Sequence, residues 1–172
     1  MEWLQHYLIT YGAIVLFVCL YFESFGAPLP GESTVIAASI LASQGLMHLP
    51  TVLFAVFSGA VLGDLTGYLI GRTGGRRVLL RHGHWVKLTH ARLEALEERF
   101  RRQGVYLVMI SRFVVLLRQL NGLIAGSVNM PLHLFMFANV VGAAVWTLAW
   151  GYGSAMAAHW FEPLWAHIKA WW

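Results

Sequence analysis

Residues 23–32 read E-S-F-G-A-P-L-P-G-E, and strongly apolar segments flank them, 1–22 before and 35–46 after. Pro28 and Pro30 each fix φ, remove a backbone donor and disfavour helix in the residue before them. Gly26 and Gly31 permit turns that other residues resist. No regular helix runs through such a sequence. At membrane depth, irregular backbone is tolerated only where protein buries it or where it lines a wet cavity. A broken helix carrying the carboxylates Glu23 and Glu32 is therefore read as a site, with an extracellular turn between two spans as the plainer alternative.

The surrounding composition supports the membrane setting. Of 172 residues 58% are hydrophobic, and the mean hydropathy is +0.62. A chain of this length and apolarity reads as a single membrane domain over 1–172. One cysteine, Cys19, excludes an internal disulfide and a cysteine metal cluster. The first apolar segment has no Lys or Arg before it and no small-residue cleavage site after it, so residues 7–22 are expected to stay as a first span.

Charge orients the chain. The connector 72–102 holds nine of the twelve Lys and Arg residues against Glu94, Glu97 and Glu98, a net of +6; the remainder, three basic against five acidic residues, carries −2. Such a basic loop stays on the cytoplasmic side. Anionic lipid and topology account for it, so no nucleic-acid partner is expected.

Residues 33–46 are apolar but shorter than the roughly 20 residues that a crossing needs, which suits a re-entrant limb. After Gly45 and Pro50, residues 51–71 are long enough to span. That span carries Gly59, Gly63, Gly67 and Gly71 four residues apart, a groove into which another backbone fits closely. Asp64 lies beside the groove. An Asp near the bilayer centre costs roughly 2.5–3.5 kcal/mol on insertion scales, so it marks either a site or a bond that holds two helices together.

Beyond Arg72 come His82, His84 and His90; nothing nearby completes a metal-ligand set, and no metal or other cofactor is expected. Leu93, Leu96 and Phe100 form an apolar stripe at helical spacing, and Glu97–Arg101 and Glu98–Arg102 stand four apart in the favourable order. The spacing predicts an amphipathic helix over 89–102, lying on the inner membrane surface or packed against the spans, and ended by Gly104. The apolar run 105–128 holds Arg112 and Arg118, which at membrane depth need counter-charges, a phosphate or water. Six helical residues amount to about 600°, leaving the two roughly 120° apart around the axis. They converge only if the helix breaks, and Asn121, Gly122 and Gly126 place that break just beyond Arg118. Residues 132–158 form a last span, and the Trp-rich tail beyond is too interrupted to cross.

The stretches G-A-P-L-P-G-E, G-D-L-T-G-Y-L-I-G-R-T-G-G-R and S-R-F-V-V-L-L-R, the last followed by A-G-S-V-N-M-P, resemble in order the three signatures of the DedA family, also called the SNARE-associated or VTT-domain family. Its members are bacterial inner-membrane proteins, with phospholipid-scrambling relatives in the endoplasmic reticulum. The resemblance implies an all-α membrane protein with two opposed re-entrant helical hairpins in an inverted repeat. It also implies transport of a phosphate-bearing lipid, such as undecaprenyl phosphate or a phospholipid, coupled to the proton motive force. By motif, the functional residues are Glu32, Asp64, Arg112 and Arg118. The family usually has Pro where this chain has Val115, so the second hairpin must break by other means. Many members also continue into a further span.

The residues themselves point the same way. Three acids, Glu23, Glu32 and Asp64, face two arginines, and opposed broken helices recur in secondary transporters. A guanidinium pair suits a phosphate because it binds bidentately and stays charged, while the carboxylates serve as counter-charges and proton carriers. Pro28, Pro30 and Gly31 break the first hairpin, and Gly59, Gly63, Gly67, Gly122 and Gly126 provide breaks and close packing. The expected function is a lipid-phosphate flippase with lipid and protons as partners, alone or as a homo-oligomer. A proton-coupled transporter of a small ion or drug is the nearest rival. The motifs of lipid phosphatases and rhomboid-like proteases are absent, and a scaffold would not need buried charge.

Overall fold

The computed structural model describes residues 2–82 and 90–160. Six α-helices follow in order: α1 (Glu2–Glu23), α2 (Gly31–Ser43), α3 (Leu49–His82), α4 (His90–Ser111), α5 (Val115–Ser127) and α6 (Leu132–Thr147). A π-helical turn, Leu148–Tyr152, continues α6 into a last helical piece at 153–160. No strand occurs among the described residues. By length and composition, Leu49–Gly74 and Leu132–Trp160 can cross a membrane, and Tyr11–Glu23 is a shorter apolar helix. Ile14, Val15, Phe54, Leu62, Leu69, Ile110, Phe137 and Val145 are all exposed, an apolar surface that suits acyl chains and not water.

The chain breaks where two different devices stop a helix. After α1, residues 24–26 turn, and Pro28 and Pro30 carry the backbone to α2, with Pro30 as its N-cap. After α4, Arg112 and Phe113 turn and Val114 is extended at φ −116° and ψ 110°. Val115 then begins α5, at the first helical position, where a proline is tolerated but not needed. This break lies before Arg118, not beyond it. Asn121, Gly122 and Gly126 sit inside an unbroken α5, which corrects the expectation that they interrupt it.

Those glycines work as contacts. A Cβ on Gly122 would collide with the Asp64 carbonyl oxygen, and one on Gly126 with the Tyr68 carbonyl oxygen. From the other side, Gly71 admits the Leu123 carbonyl, while Gly59 and Gly63 admit the α1 carbonyls of Phe17 and Tyr21. The glycine groove on α3 thus takes α1 along one stretch and α5 along the next. Such close backbone approach replaces the hydrophobic driving force that lipid removes.

The amphipathic helix is not a separate surface element. It is the first part of α4, kinked at Gln103 (φ −135°, ψ 31°), one residue before the glycine expected to end it. Phe100 is buried in the core with Val108, Leu120 and Phe135. Glu98 and Arg102 pair at 2.7 Å on its exposed side. The side chains of Leu93, Leu96, Glu97 and Arg101 lie outside the described residues, as do residues 83–89 and the tail 161–172.

Two apolar cores result. One joins Leu16, Leu20, Val35, Val52, Val56 and Trp146; the other joins Tyr68, Val108, Leu123, Ile124 and Phe135. Each of α3 and α6 contributes to both, α3 with its early residues to the first core and α6 with its late ones.

A repeated helix ending accompanies this division. α2 and α5 have the same length, and both end in a serine whose hydroxyl bonds the carbonyl three residues back, Ser43 to Ile40 and Ser127 to Ile124. Beyond α2, Gly45 and Leu46 donate to the carbonyls of Ala42 and Leu41; beyond α5, Asn129 and Met130 donate to those of Gly126 and Ala125. This double bond is the Schellman ending, with its left-handed residue supplied by Gly45 (φ +75°) and Asn129 (φ +56°).

Candidate functional site

Between the two cores the helices bring five charged side chains together from five elements. Asp64 comes from α3, Arg112 from the turn after α4, Arg118 from α5, Glu23 from the end of α1 and Glu32 from the first turn of α2. All five were expected from the sequence. They form two sets.

In the first, Arg112 Nη2 donates to Asp64 Oδ2 at 2.5 Å, and the two side chains are 1% and 0% exposed. The same nitrogen donates to Asn139 Oδ1, and Asn139 Nδ2 donates to the Val61 carbonyl at 3.1 Å. Gly142 makes room for this arrangement, since a Cβ there would stand 3.0 Å from Arg112 Cδ. Asn139 therefore ties α6 to α3 and accepts from the same guanidinium nitrogen as the acid. Its role was not read from the sequence, where one Asn in an apolar span at no motif spacing carries little signal beyond its rarity at membrane depth.

In the second set, Arg118 Nη2 donates to Glu23 Oε1 at 2.5 Å, both side chains buried. Nη1 stands 3.5 Å from Glu32 Oε1, an ion-pair distance without a hydrogen bond, and Glu32 is 34% exposed. The guanidinium lies over the Trp146 ring, 4.7 Å from its centroid. Gly31 is needed here: a Cβ on it would coincide with the Glu23 carboxylate. The Pro-Gly break therefore turns the chain and also admits one acid beside the helix that carries the other. Trp146 is a second residue missed in the sequence, where it reads as one more aromatic in an apolar span.

The two sets sense each other, because Arg118 acts electrostatically on both Asp64 and Arg112. Each keeps unused bonding capacity: Asp64 Oδ1, Arg112 Nε and Arg118 Nη1 are buried with no hydrogen-bond partner among the described residues. A guanidinium has five donors and a carboxylate about four acceptor positions, so the members of the site do not exhaust one another's bonding capacity. No group of three metal-ligating side chains gathers among the described residues. His84 lies outside them, as does the side chain of His82.

The VTT domain matches residues 29–156, which include α2 to α6 and four of the five charged residues. The chain belongs to the VTT-domain, or DedA, family. It is 37% identical over 146 residues to the uncharacterized membrane protein slr0232 of Synechocystis, a match covering 85% of this chain and 67% of that protein. It is 40% identical over 148 residues to the uncharacterized membrane protein Rv2637 of Mycobacterium tuberculosis, covering 81% and 68% respectively. It is 29% identical over 150 residues to the inner membrane protein YohD of Escherichia coli, covering 85% and 76%. No solved structure matches the chain.

Proposed function

We propose that this VTT-domain protein moves a phosphate-bearing lipid, a polyprenyl phosphate or a phospholipid, across the bacterial inner membrane. The observation that carries the reading is the Arg118 set: one buried guanidinium shared between a buried and a half-exposed carboxylate, with an unused donor. An arginine satisfied by structure alone needs one acid. Two acids at unequal distance make a set in which one partner can be exchanged, and a phosphate is the ligand that a guanidinium binds best. The headgroup would displace Glu32 first, since that carboxylate is farther away and already meets the surroundings. Acyl or prenyl chains would remain against the exposed apolar faces of the helices.

In this reading Arg112 supports the site, fixed by Asp64 and Asn139 while lending positive potential to the same place. The acids carry a proton in exchange for the bound anion, which links transport to the proton motive force. α1–α3 and α4–α6 are taken as an inverted repeat of two re-entrant hairpins, a proposal supported by the matching endings of α2 and α5. Acids come from the first half and arginines from the second, so the site exists only where the halves meet. The basic segment 72–102 faces the cytoplasm.

Binding tests the reading without transport. A short-chain prenyl phosphate should raise the thermal midpoint of the purified protein in detergent, and the parent alcohol should not, because ligand bound to the native state alone stabilises it. Arg118→Ala should abolish the shift. Equal shifts from the alcohol and the phosphate would remove the phosphate from the account and favour a solute other than lipid phosphate.

A further inference from the structure

The two chain breaks are enforced by unequal means. The first has Gly26, Pro28, Pro30 and Gly31 in its sequence, and Gly26 adopts a left-handed φ of +112°. The second, at 112–114, reads Arg-Phe-Val, with Val115 and Leu116 after it, so no residue there obliges a helix to stop. The turn is closed by backbone bonds from Phe113 to the Ile110 carbonyl and from Val114 to that of Ser111. Both arginines of the site depend on this turn. In a continuous helix they would point roughly 120° apart. Here Arg112 reaches Asp64 and Arg118 reaches Glu23, each at 2.5 Å.

A side-chain bond crosses the break. Asn121 Nδ2 on α5 donates to the Val108 carbonyl on α4 at 3.2 Å, both residues being 0% exposed. Val108 precedes Arg112 by four residues and Asn121 follows Arg118 by three. The bond therefore joins the helical turn before one arginine to the turn after the other. Ser111 Oγ donates to the same carbonyl at 3.0 Å. Asn121 Oδ1, by contrast, is buried with no hydrogen-bond partner among the described residues, which is unfavourable at membrane depth. A leucine at 121 would remove that oxygen and still leave the Val108 carbonyl bonded to Ser111. Local bonding gives no reason for an asparagine here; the link across the break does.

We propose that Asn121 is a positioning residue for the charged site: its amide, anchored on the Val108 carbonyl, fixes the angle between α4 and α5 and so the directions of Arg112 and Arg118. A proline at 115 would do similar work from the backbone. Position 115 is the first of α5, where the N–H is dispensable, and proline would hold residue 114 in the extended conformation that Val114 already has, φ −116° and ψ 110°. The amide and such a proline are alternative locks on one break.

Four full-length proteins in detergent test this: wild type, Asn121→Leu, Val115→Pro and the double variant. Without lipid, Asn121→Leu should lower the thermal midpoint, where local bonding alone predicts no loss. Positions 115 and 121 lie six residues apart, about 9 Å along α5, a separation at which independent changes add. Val115→Pro should instead raise the midpoint at least about twice as much in the Asn121→Leu background as in wild type, because there it replaces a missing lock. Equal increments in both backgrounds, or an Asn121→Leu midpoint at or above that of wild type, would overturn the proposal. If Asn121→Leu gives no folded protein, folded yield is read in place of the midpoint. Recovery in the double variant then supports the lock, and no recovery, or a Val115→Pro single variant that does not fold, overturns it. A second readout rests on the phosphate reading: the midpoint shift given by a short-chain prenyl phosphate should fall by about half or more in Asn121→Leu and return in the double variant. A full shift in folded Asn121→Leu would show that the arginines do not need the amide and would overturn the positioning role. A wild type that shows no shift would count against the phosphate reading, and the lipid-free midpoints would still decide the role of Asn121.

Discussion

Arg112 and Arg118 stand six residues apart in sequence, on either side of one chain break, and the protein treats them differently. Arg112 has one acid and one amide, both fully buried, with Asn139 passing the connection on to the backbone of α3. Arg118 has two acids, one of them 34% exposed, and an aromatic face. The first arrangement has no member that can leave without stranding another in a dry interior. The second has such a member in Glu32. Two buried arginines can thus be paired with acids in unlike ways, and on the proposed reading it is the access of one acid, Glu32, that sets the Arg118 group apart from a purely structural ion pair.

The comparison is broken most directly by removing each guanidinium. Arg112→Ala strands Asp64, and breaking a buried pair of this kind costs about 3–5 kcal/mol, so the variant should lose most of its folded yield. Arg118→Ala leaves Glu23 buried without its partner but should be milder, since the partly exposed Glu32 beside it gives the vacated space a way to the surroundings. Thermal unfolding of both in detergent, monitored by fluorescence-detected size exclusion, checks the order. Replacing the buried pair together, Arg112→Met with Asp64→Leu, should recover much of the folding that the single change loses. The same pairing of Arg118→Met with Glu23→Leu should recover folding without recovering ligand binding.

Smaller effects sharpen the contrast. Asn139→Leu leaves an Arg112 donor and the Val61 carbonyl short of a partner, and should cost about 1–3 kcal/mol for each buried group left unpaired, read as a lowered unfolding midpoint. Glu32→Gln should leave that midpoint nearly unchanged, because a partly exposed ion pair contributes about 0–1 kcal/mol, while weakening the response of transport to an imposed proton gradient. Trp146→Phe keeps a ring face and should cost only the core volume it removes, on the order of 1–2 kcal/mol. Trp146→Leu removes the ring face and should lower stability by about 0.5–2 kcal/mol on that account, with some added loss from packing.

Much of this was legible in the sequence because membrane depth makes charge and irregular backbone conspicuous. Glu23, Glu32, Asp64, Arg112 and Arg118 stand out against apolar neighbours, and the four-residue glycine spacing announced the groove that α1 and α5 occupy. The second break lies elsewhere than the glycines suggest. Glycine marks a helix break in water but a close contact in a bundle, and Gly122 and Gly126 are contacts; the break falls at Val114, whose extended backbone leaves no compositional trace. Asn139 and Trp146 escaped because their roles depend on which side chain lies opposite, which one chain's periodicity does not encode. The likeness of the endings of α2 and α5 was hidden for a related reason. It lies in backbone hydrogen bonds, and the residues that make them differ, Gly45 in one and Asn129 in the other.

The central claim is that Arg118 binds lipid phosphate through its planar fork. It is tested most directly by the rate at which a labelled prenyl phosphate crosses the bilayer of liposomes containing wild type, Arg118→Lys or no protein. Lysine keeps the charge but not the bidentate geometry. The account predicts fast movement with wild type and a rate near the protein-free level with the folded, inserted lysine variant. Equal rates with wild type and Arg118→Lys, or a wild-type rate no higher than in protein-free liposomes, would contradict it.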